Sequence, residues 1–235
     1  TAVTDFEKYE SMLVTFPQSL IISEYFDYDR YGEIVLTSTR HMTPTALVEP
    51  GPDAVAAAQA YLLDRISLDD GRTAQNPDPA IHPNGLTFDM TNLFRGGGTV
   101  TGATGILDYY QSLYRLQPTM GATYENINPR TEAPEIIESD LKVVSFNVLN
   151  YFVTLDDGVN DICGPSGNME CRGADTPEEF TRQKAKIVAA MAAIDSDVYG
   201  LMEIENEHPG GADAVADLVD GLNAIAGAGT YAYID

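Results

Sequence analysis

The chain has 235 residues, 44% of them hydrophobic and 21% charged, which is enough for one large domain or two ordinary ones and excludes a disordered chain. Its 13 Lys and Arg stand against 36 Asp and Glu, a formal net charge of −23, so its surface repels polyanions at long range, which argues against a classical nucleic-acid binder with a basic face and leaves phosphodiester binding to metal ions or a local basic patch. No apolar run approaches the ~18 residues of a membrane helix, and TAVTDFEKYE carries no signal segment, which is also how a mature secreted chain would begin.

The first elements read as strands. MLVTFPQSLIISEYF and YGEIVLTST are β-forming runs around the turn DYDRYG, a candidate hairpin. DAVAAAQAYLL is a short helical segment, and RISLDDG ends in an Asp-Gly turn. FRGGGTV lacks the Lys-Ser/Thr of a phosphate loop and leads into a glycine-rich strand. TVTGATGILDYY and YRLQPT follow as further strands with Gly and Pro breaks, a pattern that suits a small OB-like barrel. Tyr109, Tyr110 and Tyr114 are candidates for a base-stacking platform or for barrel packing. NINPRTEAPEIIESD has no periodicity and reads as a linker. The expected organisation is therefore a β-rich module with its linker over 1–138 and an α/β region over 139–235.

The second region begins with KVVSFNVLNYF, a strand-like run with two asparagines, Asn147 and Asn150, set into it, although asparagine is depleted in strands. Cys163 and Cys171 follow in a Gly/Pro/Asn-rich loop without a nearby histidine, which points to a loop-closing disulfide, with free structural thiols as the alternative, rather than to zinc. A disulfide together with strong acidity points outside the cytosol. A helix then starts with Thr176 as N-cap, Pro177 at its first position and Glu179 completing a capping box. Phe180, Ile187, Val188, Met191 and Ile194 share one face of it, while Arg182, Lys184 and Lys186 form a basic cluster that is either a phosphate contact or a solvated face. DVYGLMEIE is the next strand, GGADAVADLVDGLNAIAG the next helix, and TYAYID begins a further element.

Carboxylates gather where the second strand ends, at Glu203 and Glu205 beside Asn206, and α/β active sites gather at such ends. Asn147 on the preceding strand could lie beside Glu203. A carboxylate next to an amide suits a hard cation such as Mg²⁺, which takes few protein ligands and keeps several waters. The bland reading is a solvent-facing Glu and an Asn satisfying neighbouring backbone. Asp27, Asp29 and Gly32 mimic the opening of a calcium loop, but Tyr31 and Ser38 stand where ligands belong, so a hairpin turn is preferred.

SFNVLNYF followed by RGADTPEEFTRQKAKIVAAMAAIDSDVYGLMEIEN resembles the start of the endonuclease/exonuclease/phosphatase superfamily, the DNase I-like fold. More narrowly, it is similar to bacterial secreted nucleases in which this domain follows an OB-like module, and LDDGRTAQNPDP and GATGILDYYQSLYRLQPT resemble that module. The resemblance implies a mixed α+β architecture, an OB-like barrel followed by the first half of a DNase I-like α/β sandwich. It implies an extracellular hydrolase cutting phosphodiester bonds of DNA, with RNA as the alternative substrate, with Mg²⁺ or Mn²⁺, or else Ca²⁺, as cofactor and with no membrane partner. Residue by residue, Glu203 matches the family's metal-binding glutamate and Asn147 its asparagine at the phosphate and metal site. Asn150 has no family role and is expected to end the strand by bonding the following loop. The family also uses a catalytic histidine, an Asp-x-Asn motif and a terminal Asp-His pair. The histidines here are His41, His82 and His208, the last in an exposed HPGG turn, so the 235-residue chain is expected to be nearly inactive alone. The rival expectations are a phosphatase or other phosphodiesterase of the same superfamily, and a non-catalytic extracellular binding module.

Overall fold

Alternating apolar residues in LVTFPQSLIISE have the two-residue period of a strand packed on one face, and they form β1 (Leu13–Glu24). Pro17 sits where β1 shifts register against its neighbour, between Phe16 and Ser19, a bulge that tolerates its missing N–H. The computed structural model describes residues 3–135, 137–156, 159–206 and 213–234. It divides into two units, Thr1–Arg130 and Thr131–Asp235.

In the first unit a seven-residue 3-10 helix, Val3–Tyr9, precedes β1. The expected hairpin turn is a single helical turn, α1 (Tyr28–Tyr31), leading to β2 (Ile34–Thr37). α2 (Pro52–Leu62) starts with proline at its first position, where no N–H is needed, and β3 (Ile66–Leu68) follows. β4 (Thr99–Tyr110), β5 (Leu113–Met120) and β6 (Thr123–Glu125) complete the set. The strand order is β1-β2-β3-β5-β4, and antiparallel pairing of β1 with β4 closes it into a five-strand barrel. β3 and β5 are parallel, and the other barrel pairs are antiparallel. This closed barrel is consistent with the OB-like module expected from the sequence. The short β6, which the sequence did not suggest, extends β4 through Thr99–Thr101.

β4 holds the barrel shut by pairing along both edges, and this demands a sharp bend. Gly105 lies at the register shift against β5, where a Cβ would fall 2.1 Å from the Gln117 carbonyl oxygen. Only glycine permits that approach. Ile22, Ile34, Leu36, Val100, Leu107 and Leu116 fill the interior and are almost wholly excluded from water. Burial stabilises each by about 1.5–3 kcal/mol. One region of this core is aromatic: Tyr28 packs edge-on to Phe94 at 4.7 Å, and His82 edge-on to Tyr124 at 4.6 Å.

The second unit is a β-α-β-α run: β7 (Val143–Tyr151), α3 (Pro177–Ile194), β8 (Val198–Ile204) and α4 (Ala214–Ala226). β7 and β8 are parallel, as a helical crossover requires. The Thr176 hydroxyl caps α3 by accepting from Glu179 N–H at 3.2 Å. The Glu179 carboxylate reaches Asp175 N–H rather than that of Thr176, so the expected capping box is displaced by one residue. Ile187, Val188 and Met191 on α3 meet Leu218 and Leu222 on α4 and Val148 and Tyr151 on β7 in one core. Tyr231 packs on this core, but the TYAYID segment forms no strand among its described residues. No described helix is long and apolar enough to cross a membrane.

His82 yields a pH prediction. It is 1% exposed, its Nδ1 accepts the Asn84 N–H at 3.0 Å, and burial among the rings lowers its pKa from 6.5 to about 4. The folded state therefore favours the neutral imidazole, while the unfolded chain takes up a proton below pH 6.5. This stabilisation is complete above that value and is lost as the pH falls towards 4, by on the order of 3 kcal/mol. In urea titrations at pH 7 and pH 4.5, His82→Gln should lose markedly less stability between the two pH values than the parent; equal losses would refute the assignment.

Candidate functional site

The side chains of β7 and β8 alternate as a one-sided sheet requires. Phe146, Val148, Tyr199 and Leu201 face the helices, whereas Val143, Ser145 and Asn147 on β7 and Val198 and Met202 on β8 are exposed. Asn147 pairs with Met202, so it stands next in register to Glu203. Strict alternation would turn Glu203 inward. Its backbone instead takes the left-handed conformation, with φ 59°, which leaves the carboxylate exposed and returns Ile204 to the core. That conformation costs a non-glycine residue roughly 1–2 kcal/mol. Among the described residues no hydrogen bond or ion pair engages the Glu203 side chain.

β7 breaks its own alternation at the same level. Asn147 pairs with Met202 but Tyr151 pairs with Ile204, so β7 carries extra residues at a bulge. Leu149 and Asn150 absorb them in left-handed backbone, with φ 53° and 51°. Asparagine tolerates this region better than other side chains bearing a Cβ. Asn150 therefore does not end the strand, as the sequence suggested; it turns a bulge inside it. Asn147 serves the same bulge, since its Oδ1 accepts the Leu149 N–H at 2.8 Å. This bond fixes the amide and leaves its Nδ2 protons as the available donors.

Three further groups brace the bulge and the segment after it. Gln183 donates from Nε2 to the carbonyls of Leu149 at 2.7 Å and Asn150 at 3.4 Å. Gly173 approaches so closely that a Cβ would lie 2.2 Å from the Asn150 carbonyl oxygen, and its φ of 96° suits glycine. Glu205 accepts the N–H groups of Val153 at 2.8 Å and Thr154 at 3.0 Å. Cys163 and Cys171 form the expected disulfide, and Cys171 N–H donates to the buried Asp156 carboxylate at 2.6 Å. A cleft of about 610 Å³ runs from Phe152 past Cys163 and Arg172 to Glu205 and Asn206.

The basic cluster of α3 divides. Arg182 and Lys186 are exposed, whereas Lys184 pairs with Asp217 at 2.6 Å. Asp217 also accepts the buried Tyr151 hydroxyl, whose pKa rises through burial first and this bond second. Lys184 thus ties α3 to α4 and β7. Gln183 and Asp217 are organising residues that sequence reasoning missed, and Glu205 was singled out only as a strand-end carboxylate, not as a backbone acceptor.

The other candidates have local explanations. His41 bonds Asp64 at 3.0 Å and stacks on Tyr61 at 4.0 Å, and His82 is buried. His208 lies outside the described residues. Asp27 and Asp29 belong to the α1 turn, and the triple glycine leads into β4. Tyr109 and Tyr114 pack on each other at 4.8 Å. No group of three or more His, Cys, Asp or Glu able to hold a metal assembles among the described residues.

The bracing generates a test. Gly173→Ala places a methyl against the Asn150 carbonyl and strains the backbone, and should cost about 2–4 kcal/mol. A lower urea midpoint, with faster hydrogen exchange at Val153 and Thr154, is the expected result; an unchanged midpoint would remove Gly173 from the bracing.

No family model, curated protein or solved structure matches this chain.

Proposed function

We propose that the second unit is the leading part of a DNase I-like domain in a secreted, divalent-metal-dependent phosphodiesterase, with DNA as its substrate. The observation that carries this reading is the pairing of Asn147 with Met202, beside a Glu203 turned outward by a left-handed backbone at the carboxyl end of β8. A carboxylate without a partner among the described residues, held in an unfavourable conformation, contributes nothing evident to packing, and strain of this kind concentrates at functional sites.

The two residues take different roles. Glu203 is the ligand for Mg²⁺ or Mn²⁺, ions satisfied by one or two carboxylates together with waters and phosphate oxygens. Asn147, whose oxygen is already bonded to Leu149 N–H, is better suited to donate from Nδ2 to a phosphate oxygen than to ligate the ion. A bound ion would offset charge on the phosphoryl oxygens and lower the pKa of a bound water. It would also let a chain of net charge −23 hold a polyanion. Gln183 and Gly173 hold the bulge that fixes Asn147, so they position it without touching substrate.

The test uses Mn²⁺ as a paramagnetic probe. Selective broadening of the amide resonances around Asn147 and Glu203, abolished by Glu203→Gln while the rest of the spectrum persists, is the expected result. Any plasmid nicking by the 235-residue chain should disappear with the same substitution. Broadening that Glu203→Gln leaves intact would exclude Glu203 as the ligand.

A further inference from the structure

One end of the barrel holds a cleft of about 610 Å³ between the α1 turn, the segment after β3 and the β4–β5 turn. Its floor is built on Arg115, whose guanidinium bonds Glu33 at 3.2 Å, Asp69 at 3.0 Å and Asp108 at 2.8 Å. Three carboxylates on one cation leave the floor net negative, and Asp27 adds another charge at the edge while Arg72 returns one. Burial first, and the neighbouring carboxylates after it, raise the Glu33 pKa against the pull of Arg115. Such a floor repels phosphate, because no basic residue remains in surplus.

Two tyrosines contribute to the lining with much of their surface in water, Tyr31 40% exposed and Tyr110 54%. Each is steadied by an arginine, Arg115 standing 4.7 Å over the Tyr110 ring and Arg30 5.2 Å over that of Tyr31. Steadied, exposed rings in a polar cleft form an apolar platform rather than a core. The lining also includes the amide and carboxylate groups of Gln75, Gln111 and Asp27. The β4–β5 turn that presents Gln111 is built on unfavourable residues. Gln111 and Ser112 have φ 48° and 67°, where the two-residue turns of hairpins favour Asn-Gly. The turn therefore keeps a long amide at the rim at some cost to its own stability.

We propose that this cleft is a binding site for a neutral carbohydrate chain. A sugar hydroxyl is both donor and acceptor, so it satisfies carboxylates and amides together. The apolar C–H face of a pyranose covers a tyrosine ring, and an uncharged ligand meets no repulsion from the acidic floor. This site belongs to the first unit and is independent of the phosphodiesterase reading of the second.

The experiment is a titration of the full chain with neutral hexasaccharides, namely cello-, laminari-, malto- and N-acetylchitohexaose, in 0.5 M NaCl, followed by amide chemical shifts. At least one should shift Gln75, Tyr110 and Gln111 saturably. Tyr110→Ala should weaken it at least fivefold and Tyr110→Phe, which keeps the ring, less than twofold. The Phe variant also guards against misreading a folding defect. No shift with any of the four overturns the proposal. So does a shift that maps elsewhere, or displacement of the sugar by oligothymidylate, which would make the cleft a nucleic-acid site.

Discussion

Thirty-six carboxylates and only thirteen lysines and arginines have to coexist in one folded chain, and both units are organised around that imbalance. Cations are too few to pair with the acids, so backbone N–H groups take their place. Asp69 caps Gly71, Asp89 caps Thr91 and Asn92, Asp156 caps Cys171, Asp197 caps Lys142, and Glu205 caps Val153 and Thr154. Charge-assisted bonds of this kind are roughly twice as strong as neutral ones. They draw an acidic surface inward as turn and loop supports. The scarce cations are shared among several acids or used to join elements, as Arg115 does for three carboxylates and Lys184 for the helices of the second unit.

Backbone geometry rather than side-chain chemistry decides where the candidate phosphodiesterase residues stand. The bulge in β7 and the left-handed turn at Glu203 occur at the same level of a two-stranded parallel sheet. Together they direct an amide and a carboxylate outward from strands that otherwise bury alternate residues. Asn147, Gln183, Gly173 and Glu205 restrain the bulge and the chain that follows it from different elements. The bulge and the segment after it are thus held by hydrogen bonds to main-chain atoms.

The barrel applies the same economy to a different end. Its closure depends on β4 pairing along both edges and on Gly105 admitting the Gln117 carbonyl. Closure brings the ends of β3 and β5 and the α1 turn together, and Arg115 with its three acids lies among them. The resulting cleft is polar, acidic and edged by aromatic rings, a chemistry distinct from that of the strand ends in the second unit.

Much of the secondary structure was legible because its causes are local. β-forming runs bounded by turn residues marked β1, β4 and β8, and Thr176 with Pro177 marked the start of α3. The spacing of Cys163 and Cys171 in a turn-rich loop anticipated the disulfide. Asn147 and Glu203 could be singled out from residue type and strand position. Their surroundings could not, because Gln183 acts from a helix on carbonyls more than thirty residues away and Lys184 finds its partner only once α4 has packed. Asn150 was misread for the same reason. An asparagine in a strand signals left-handed backbone only when the partner strand leaves residues unpaired, and that is a property of register. The sequence by itself indicated most of the longer elements and the acidity, and favoured the disulfide, because these follow from composition and short-range pattern. The tertiary structure decided barrel closure, the bulge and the two clefts, because each depends on pairing between segments that are distant along the chain.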